Sequence, residues 1–144
     1  MTADALVGSR TALGIELGST RIKACLIDAD TAEVLAVGSH AWENQYADGL
    51  WTYALEDVWA GLQAAYAALV ADARARHGDA PTTYGAIGVS AMMHGSLAFD
   101  AGGELLTPFR TWRNTNTGAA AAAVNFPNAF STPDCRATSE MKRR

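Results

Sequence analysis

One short segment near the start of the chain carries residue types that could bind a phosphate group. The sequence LGIELGSTRIKACLID places Glu16 near the end of one apolar run and Lys23 within the next, with Gly18, Ser19 and Thr20 between them. A glycine lets the backbone approach a ligand closely, and turn N–H groups with the two hydroxyls can donate to phosphate oxygens. Glu16 could hold Mg²⁺ through water, and Lys23 could offset the negative charge.

The same segment also fits a plain β-hairpin with a polar turn and an exposed lysine, because Gly-Ser-Thr turns are common. It lacks the G-x-x-x-x-G-K-[S/T] pattern of a P-loop and the G-x-G-x-x-G pattern of dinucleotide-binding folds. The turn opens a strand and not a helix, so a phosphate site at a helix N-terminus is not available here. Spacing alone leaves the phosphate turn and the plain hairpin open.

A second group of polar and aromatic residues could contact a sugar. His94 follows the apolar run YGAIGVSA, and ligands bind beyond the carboxyl ends of strands in open α/β sheets. A neutral imidazole there could bond a sugar hydroxyl, although an ordinary loop histidine fits equally. Trp51 and Tyr53 suit either stacking on a sugar or core packing, and Asn114 suits either a polyol contact or a turn.

Two sulfur-containing positions are assigned to packing. Of Met92 and Met93, which alternate across a strand end, one is expected to pack against the core. Cys25 alternates with apolar neighbours and is expected to be a small buried residue, not a nucleophile. No His/Cys cluster has the spacing of a zinc site.

The apolar pattern predicts the elements that position these residues. Strands over Thr11–Leu17, Arg21–Asp28 and Glu33–Trp42, joined by tight turns, predict an antiparallel meander. Residues 43–53 are expected to form a loop. A strand over Tyr84–Ala91, apolar throughout, is expected to be covered on both faces.

A helix is predicted to begin at Leu55 and to end near Gly78. Its apolar stripe comprises Leu55, Val58, Trp59, Leu62, Tyr66, Leu69, Val70 and Ala73, and Trp59 is expected to lie in the core. After the Tyr84–Ala91 strand comes a strand over Ser96–Asp100, followed by irregular residues 105–117. The order β-β-β-α-β predicts an α/β mixed sheet with one crossover helix leading to a parallel strand.

Length and composition exclude several classes of protein. The 144 residues suit one domain, and the net charge of −4 disfavours a nucleic-acid binder. Two cysteines cannot build a disulfide framework, so a cytoplasmic protein is expected. No apolar run reaches the length of a membrane-spanning helix, and no secretory signal is apparent.

The ends of the chain differ in character from its centre. Residues 1–10 are expected to be a flexible lead-in, and residues 125–144, with two prolines, no apolar period and a basic end, an irregular tail. The folded part is therefore expected over residues 11–124, with the alanine run that ends at Val124 as a possible short helix.

The hairpin resembles the first phosphate motif of the FGGY family of carbohydrate kinases, such as xylulose, ribulose and glycerol kinases. The family pattern is a strand ending in Asp-x-Gly-Thr/Ser, then three residues, then Lys or Arg. Gly18, Ser19 and Lys23 fall on this pattern, while Glu16 stands where the family usually has aspartate.

Three later segments resemble the same family and occur in the family's order. GLWTYALEDVW matches at Trp51 and Trp59 but lacks the usual glutamate after the first tryptophan. IGVSAMMHG resembles Ile-Gly-x-Ser/Thr-x-Gln-Met-His-Gly, with Met92 in place of glutamine. FRTWRNTN resembles Pro-x-x-x-Trp-x-Asp-x-Arg, with asparagines where Asp and Arg are usual.

The resemblance implies a ribonuclease H-like (actin-like ATPase) fold, here incomplete, and transfer of the ATP γ-phosphoryl group to a sugar or polyol hydroxyl with Mg²⁺. It implies phosphate contacts from one set of residues, sugar contacts from another, and one carboxylate for the metal. These are Gly18, Ser19, Thr20 and Lys23 for phosphate, Met93, His94, Trp112 and Asn114 for the sugar, and Glu16 for the metal.

The family's catalytic base, an aspartate, lies past the matched segments. Asp134 is the only aspartate after residue 100, and its context is not comparable. We therefore expect an N-terminal fragment of a sugar kinase that is inactive alone. A non-catalytic sugar- or nucleotide-binding module and a fragment of another actin-like ATPase are the alternatives. A sheet without its continuation would expose an apolar face or edge, so marginal stability or self-association is expected.

Overall fold

The structure is a computed structural model that describes Leu6 and residues 10–119. The chain divides into two compact units, Met1–Trp112 and Arg113–Arg144, and the elements below belong to the first. They are β1 (Thr11–Leu17), β2 (Arg21–Asp28), β3 (Val34–Ala41), β4 (Gln45–Ala47), β5 (Leu50–Thr52), α1 (Leu55–His77), β6 (Ala86–Ala91), β7 (Gly95–Ser96) and β8 (Arg110–Thr111).

The main sheet has the strand order β3-β2-β1-β6. β1 and β2 form the predicted hairpin, and β2 pairs antiparallel with β3. After the crossover helix, β6 pairs parallel to β1, with Leu13 opposite Ile87 and Leu17 opposite Ala91. The predicted β-β-β-α-β order of the mixed sheet is confirmed, and each main strand agrees with its prediction to within two residues.

The predicted loop over residues 43–53 contains a short hairpin instead. β4 and β5 pair antiparallel, and the two residues that join them, Asp48 and Gly49, have φ values of 50° and 78°. An Asp-Gly pair with positive φ at both positions is the signature of a two-residue hairpin turn. The signal was present in the sequence, but the polar composition around it hid the strands.

Helix α1 packs on β3 and β2 through its small residues. A Cβ at Gly38 of β3 would collide with the carbonyl oxygen of Ala65 and the backbone nitrogen of Leu69, so helix and strand meet at backbone distance. The helix residues that become buried are Gly61, Ala65, Leu69 and Ala73, an i, i+4 series. The predicted stripe is fully buried at Leu69 and Ala73. Its members that pack against the core while partly buried are Val58, Leu62, Tyr66 and Val70.

The prediction of a core position for Trp59 is wrong, because its side chain is 58% exposed. A row of small residues allows the close approach of α1 to β3, and a tryptophan facing the sheet would prevent it. The predicted stripe was based on the large apolar residues. It therefore left out Gly61 and Ala65, which face the sheet.

Strand β6 is exposed on both faces within the described residues, contrary to the prediction that it is covered. All six of its residues are exposed, with Ile87 at 60% and Val89 at 67%. Ile87 and Val89 lie opposite Leu13 and Ile15 in the parallel register. They therefore share the face on which α1 packs, but α1 lies mainly over β2 and β3 and leaves them exposed.

Cys25 is half-buried, so the prediction of a buried thiol is wrong. Alternation along β2 turns Ala24 and Leu26 towards α1, where both are buried. Cys25 lies on the opposite face of the sheet, opposite Gly14 of β1, and no described element covers that face there.

The two ends of the predicted organisation lie largely outside the described residues. Leu6 packs in the core with Leu13, Leu26 and Leu69, although it belongs to the predicted lead-in. The end of the alanine run and residues 125–144, including Asp134, lie outside the described residues, so the boundary at residue 124 stays a prediction.

The region after β6 is less regular than predicted. Of the expected strand over residues 96–100, Ser96 belongs to the two-residue strand β7, and Phe99 forms a single bridge with Leu105. β7 pairs with β8, which lies in the segment predicted to be irregular. Within the described residues, no helix is both long and apolar enough to cross a membrane.

Candidate functional site

A hollow of about 330 Å³ opens beyond the carboxyl ends of β1 and β6. Both strands run parallel and end there, which is where open α/β sheets bind ligands. The lining combines the β1–β2 turn with the segment after β6. Its residues are Glu16, Leu17, Gly18, Ser19, Ser90, Ala91, Met92, Met93, His94 and Trp112.

The β1–β2 turn requires a glycine at its first position. The N–H of Gly18 donates to the carbonyl oxygen of Arg21 at 3.1 Å, which closes the turn. A Cβ at Gly18 would lie 2.8 Å from that same oxygen. Any side chain there would push the turn open, so Gly18 acts through backbone approach rather than through a functional group.

All three carbonyl oxygens of the turn accept a hydrogen bond from one pair of aromatic residues. The indole Nε1–H of Trp42 donates to Gly18 at 2.8 Å, and the hydroxyl of Tyr53 donates to Ser19 at 2.5 Å. The backbone N–H of Trp42 donates to Thr20 at 3.1 Å. The two rings stack with their centroids 4.2 Å apart, and both side chains are buried.

Two N–H groups of the turn lack a partner among the described residues, whereas its carbonyl oxygens are all bonded. The two N–H groups are those of Ser19 and Thr20. Ser19 is half-buried in the lining of the hollow, whereas Thr20 is exposed and does not line it. Donors without partners beside engaged acceptors give the turn the polarity that an anion requires.

Glu16 and Lys23 pair with each other across the hairpin. Lys23 Nζ lies 2.9 Å from Glu16 Oε2, and both side chains are about half exposed. Glu16 lines the hollow, but Lys23 does not; it lines a second depression of about 500 Å³ on the face of the sheet opposite α1. In this structure the Lys23 charge is therefore directed at Glu16 rather than at the turn.

The other wall of the hollow consists of exposed side chains that follow β6. Met93 is 85% exposed and Trp112 is 56% exposed, and His94 is exposed as well. Met92 packs in the core cluster of Ile22, Trp42, Tyr53 and Ala65, which confirms that one of the two methionines is a packing residue. Met93 and His94 thus turn towards solvent, where a ligand could reach them.

The remaining candidates take different positions. Tyr53 is 2% exposed and belongs to the core, so packing rather than sugar stacking describes it. Trp51 contacts Tyr46, with ring centroids 5.2 Å apart, and does not line the hollow. Asn114 lies in the second unit of the chain, and its proposed sugar contact stays a prediction.

The bonds of Trp42 and of the Tyr53 hydroxyl to the turn were not predicted from the sequence. Trp42 is separated from Gly18 by 24 positions and Tyr53 from Ser19 by 34. No local pattern joins such residues. The only signal was the pair of aromatic residues that flank the β4–β5 hairpin, and it is equally typical of core packing.

A known protein family matches most of this chain. The FGGY family of carbohydrate kinases, N-terminal domain, matches residues 11–129. No curated protein sequence matches significantly.

Solved structures share the fold. They include a xylulose kinase from Rhodospirillum rubrum, with a TM-score of 0.66, 23% identity, and coverage of 80% of this chain and 23% of that one. A xylulose kinase from Bifidobacterium adolescentis has a TM-score of 0.61 and 20% identity, and the match covers 78% of this chain and 20% of that one. A gluconate kinase from Lactobacillus acidophilus has a TM-score of 0.62 and 20% identity, and the match covers 79% of this chain and 22% of that one.

The chain thus spans between a fifth and a quarter of the length of these solved kinases. The similarity of these structures confirms the predicted actin-like α/β fold, because the match to each of them covers more than three quarters of this chain. The family match covers most of the chain as well, so the chain belongs to the FGGY family of carbohydrate kinases.

Proposed function

We propose that this chain contributes the phosphate-binding turn and one wall of the sugar site of an ATP-dependent kinase for a sugar or polyol hydroxyl. The observation that carries the proposal is the hollow itself, which is lined by the turn on one side and by Met93 and His94 on the other. Phosphoryl transfer needs the donor phosphate and the acceptor hydroxyl held side by side. The hollow offers one surface for each.

ATP is the proposed donor, with Mg²⁺ as its ion. Mg²⁺ typically takes one or two carboxylates together with waters and substrate phosphates, and Glu16 lines the hollow as a single carboxylate. No group of three or more His, Cys, Asp or Glu side chains among the described residues could hold a metal alone. Glu16 would therefore share the ion with the nucleotide and would exchange its contact with Lys23 for it.

We propose that the general base for the transfer comes from outside the described residues, because the family's catalytic aspartate lies past the matched segments. Glu16 is the only acidic residue in the lining of the hollow, and its carboxylate is bound to Lys23. A base that takes the hydroxyl proton has to come within hydrogen-bond reach of the substrate. We expect the 144-residue chain to bind ligands without turnover, and this observation also favours the second candidate, a non-catalytic sugar- or nucleotide-binding module.

A phosphoryl-transfer assay separates these two candidates from an active enzyme. The purified chain is given ATP, Mg²⁺ and a panel of ketoses and polyols, and ADP release is measured. We expect none above the protein-free rate. Sugar-dependent ADP release by this chain alone would contradict the proposal that its base is missing.

Sugar binding is tested by calorimetry with His94→Ala. A neutral imidazole hydrogen bond to a hydroxyl contributes about 1 kcal/mol, so we expect roughly five-fold weaker binding. His40→Ala is the matched control, because His40 lies on β3 next to Gly61 of α1, away from the hollow. Equal affinity of the wild type and His94→Ala would remove His94 from the proposed sugar wall.

We also propose that the chain self-associates through the outer edge of β6. Among the described residues, only β1 pairs with β6, and the sequence AIGVSA has neither charge nor proline to block a further strand. At the other edge of the sheet, side chains of α1 already bond the backbone of β3. Asp72 accepts a hydrogen bond from the N–H of Val37 at 2.9 Å. His77 contacts the carbonyl oxygen of Leu35 at 2.8 Å.

A further inference from the structure

We propose that Trp42 and Tyr53 are positioning residues that set the direction of the phosphate-binding N–H groups in the β1–β2 turn. The inference rests on the proposed function of that turn and adds residues outside the motif that suggested it. Neither side chain lines the hollow. Both act on the ligand only through the backbone of Gly18 and Ser19.

The geometry of the peptide unit couples each carbonyl of the turn to the N–H of the next residue. The C=O of one residue and the N–H of the next belong to one plane and point in opposite directions when the bond is trans, and the structure has no cis peptide bond among its described residues. Fixing the carbonyl of Gly18 therefore fixes the N–H of Ser19. Fixing the carbonyl of Ser19 likewise fixes the N–H of Thr20.

Trp42 and Tyr53 each control one of these two planes. The Trp42 indole holds the Gly18 carbonyl at 2.8 Å, and the Tyr53 hydroxyl holds the Ser19 carbonyl at 2.5 Å. Each bond thus leaves one N–H directed away from the aromatic pair and without a partner in the described part of the chain. Without the bond, the plane could rotate and present a carbonyl oxygen to the anion, which repels it.

The pair is rigid enough for this role. Trp42 is 8% exposed and Tyr53 is 2% exposed, and their rings stack at 4.2 Å with an interplanar angle of 22°. They pack with Ile22 and Ala65, which come from β2 and α1. A donor held by the core of the unit loses little conformational freedom when it bonds the turn. The core of the fold thereby determines the polarity of the turn.

The hydroxyl of Tyr53 also contacts a residue from each of the two walls of the hollow. Its hydroxyl lies 4.0 Å from the Met92 sulfur while it donates to Ser19. Met92 precedes Met93 and His94 at the end of β6. One hydroxyl group therefore lies between the backbone of the phosphate turn and the segment that carries the proposed sugar contacts.

The test uses Tyr53→Phe in the full 144-residue chain. The substitution keeps the ring and its stacking on Trp42 but removes the bond to Ser19. Backbone ¹⁵N relaxation reports how firmly the N–H of Thr20 is held, and titration with inorganic pyrophosphate and with MgATP, followed by amide chemical shifts, gives the affinity. We expect a lower heteronuclear NOE at Thr20 and about five-fold weaker binding of both probes, as for one lost hydrogen bond.

Tyr66→Phe is the matched control. Its hydroxyl makes a 2.6 Å bond to the hydroxyl of Tyr84 in the other core cluster, so the variant also loses a tyrosine hydrogen bond and some stability. A merely structural role of Tyr53 would make the two variants alike. An unchanged NOE at Thr20 in Tyr53→Phe, or an equal loss of affinity in Tyr66→Phe, would overturn the positioning role.

The two readouts also separate this inference from the proposed function. If the wild type binds neither pyrophosphate nor MgATP, the proposal that the β1–β2 turn binds phosphate is wrong. The NOE at Thr20 still decides whether Tyr53 orients the peptide plane. If the wild type binds both probes and Tyr53→Phe binds them equally well, the proposed function stands and the positioning role fails.

Discussion

Gly38→Ala tests the close contact between β3 and α1, on which the position of Trp42 depends. The new methyl group would collide with the backbone of Ala65 and Leu69. A collision with backbone cannot be relieved by turning a side chain, so helix and strand must separate. Trp42 follows directly after β3, and a shift of this strand would also move the indole that holds Gly18.

The expected loss can be estimated from overpacking. Extra methyl or methylene groups in a packed core typically cost about 1–3 kcal/mol, and a contact with backbone belongs at the upper end. With a urea m-value of about 2 kcal/mol per molar, 3 kcal/mol lowers the unfolding midpoint by about 1.5 M. For a unit of this size the melting temperature would fall by roughly 12–24 °C.

Urea unfolding followed by circular dichroism gives the midpoint directly. Gly88→Ala in β6 is the matched control, because a Cβ there meets no atom within 4 Å. It removes a glycine from a strand without a clash, so we expect little change or a slight gain in stability. Equal midpoints for the two variants would refute the backbone contact between α1 and β3.

Two further predictions concern charge and association. The pKa of the Asp72 carboxyl is lowered from its ordinary value of 3.8, first by the hydrogen bond from Arg76 and then by that from the Val37 N–H. Its contribution to stability is therefore present well above the ordinary pKa and is lost as the pH falls through the lowered pKa. The stability difference between the wild type and Asp72→Asn should shrink from pH 5 to pH 2 in urea titrations, and a constant difference would contradict the lowered pKa. Val89→Lys should convert self-associated chain to monomer in sedimentation velocity, because a charge on an edge strand opposes pairing with a second copy. The same substitution at Val34, on the β3 side of the sheet, should leave association unchanged, and association that survives Val89→Lys would exclude the β6 edge.

Local patterns were sufficient for the elements and for the residues close together in sequence. The β1–β2 hairpin, the helix ending before Gly78 and the parallel β6 agree with their predictions, since each has a strong periodic or turn signal. The lining of the hollow by Gly18, Ser19, Met93 and His94 follows from the same strands, because residues at the carboxyl ends of neighbouring parallel strands must meet.

Other predictions failed where burial depended on what lies above a strand or helix. Trp59 was predicted to lie in the core because it falls on the apolar stripe of the helix, and Cys25 was predicted to be buried because it alternates with apolar neighbours. Neither side chain is buried. β6 reads as a covered strand and is exposed among the described residues. An apolar sequence shows that a strand could be buried, but it does not show whether another element covers that strand.

The family, the order of elements and the glycine of the turn follow from the sequence alone. The hydrogen bonding of the turn's backbone groups depends on residues that the fold brings to it. Gly18 and Ser19 offer carbonyl and N–H groups alike, and nothing local chooses between them. Trp42 and Tyr53, which are distant in sequence, bond the carbonyl oxygens, because the packing of β3, α1 and the β4–β5 hairpin brings their donors there. The N–H groups of Ser19 and Thr20 are left without a partner among the described residues.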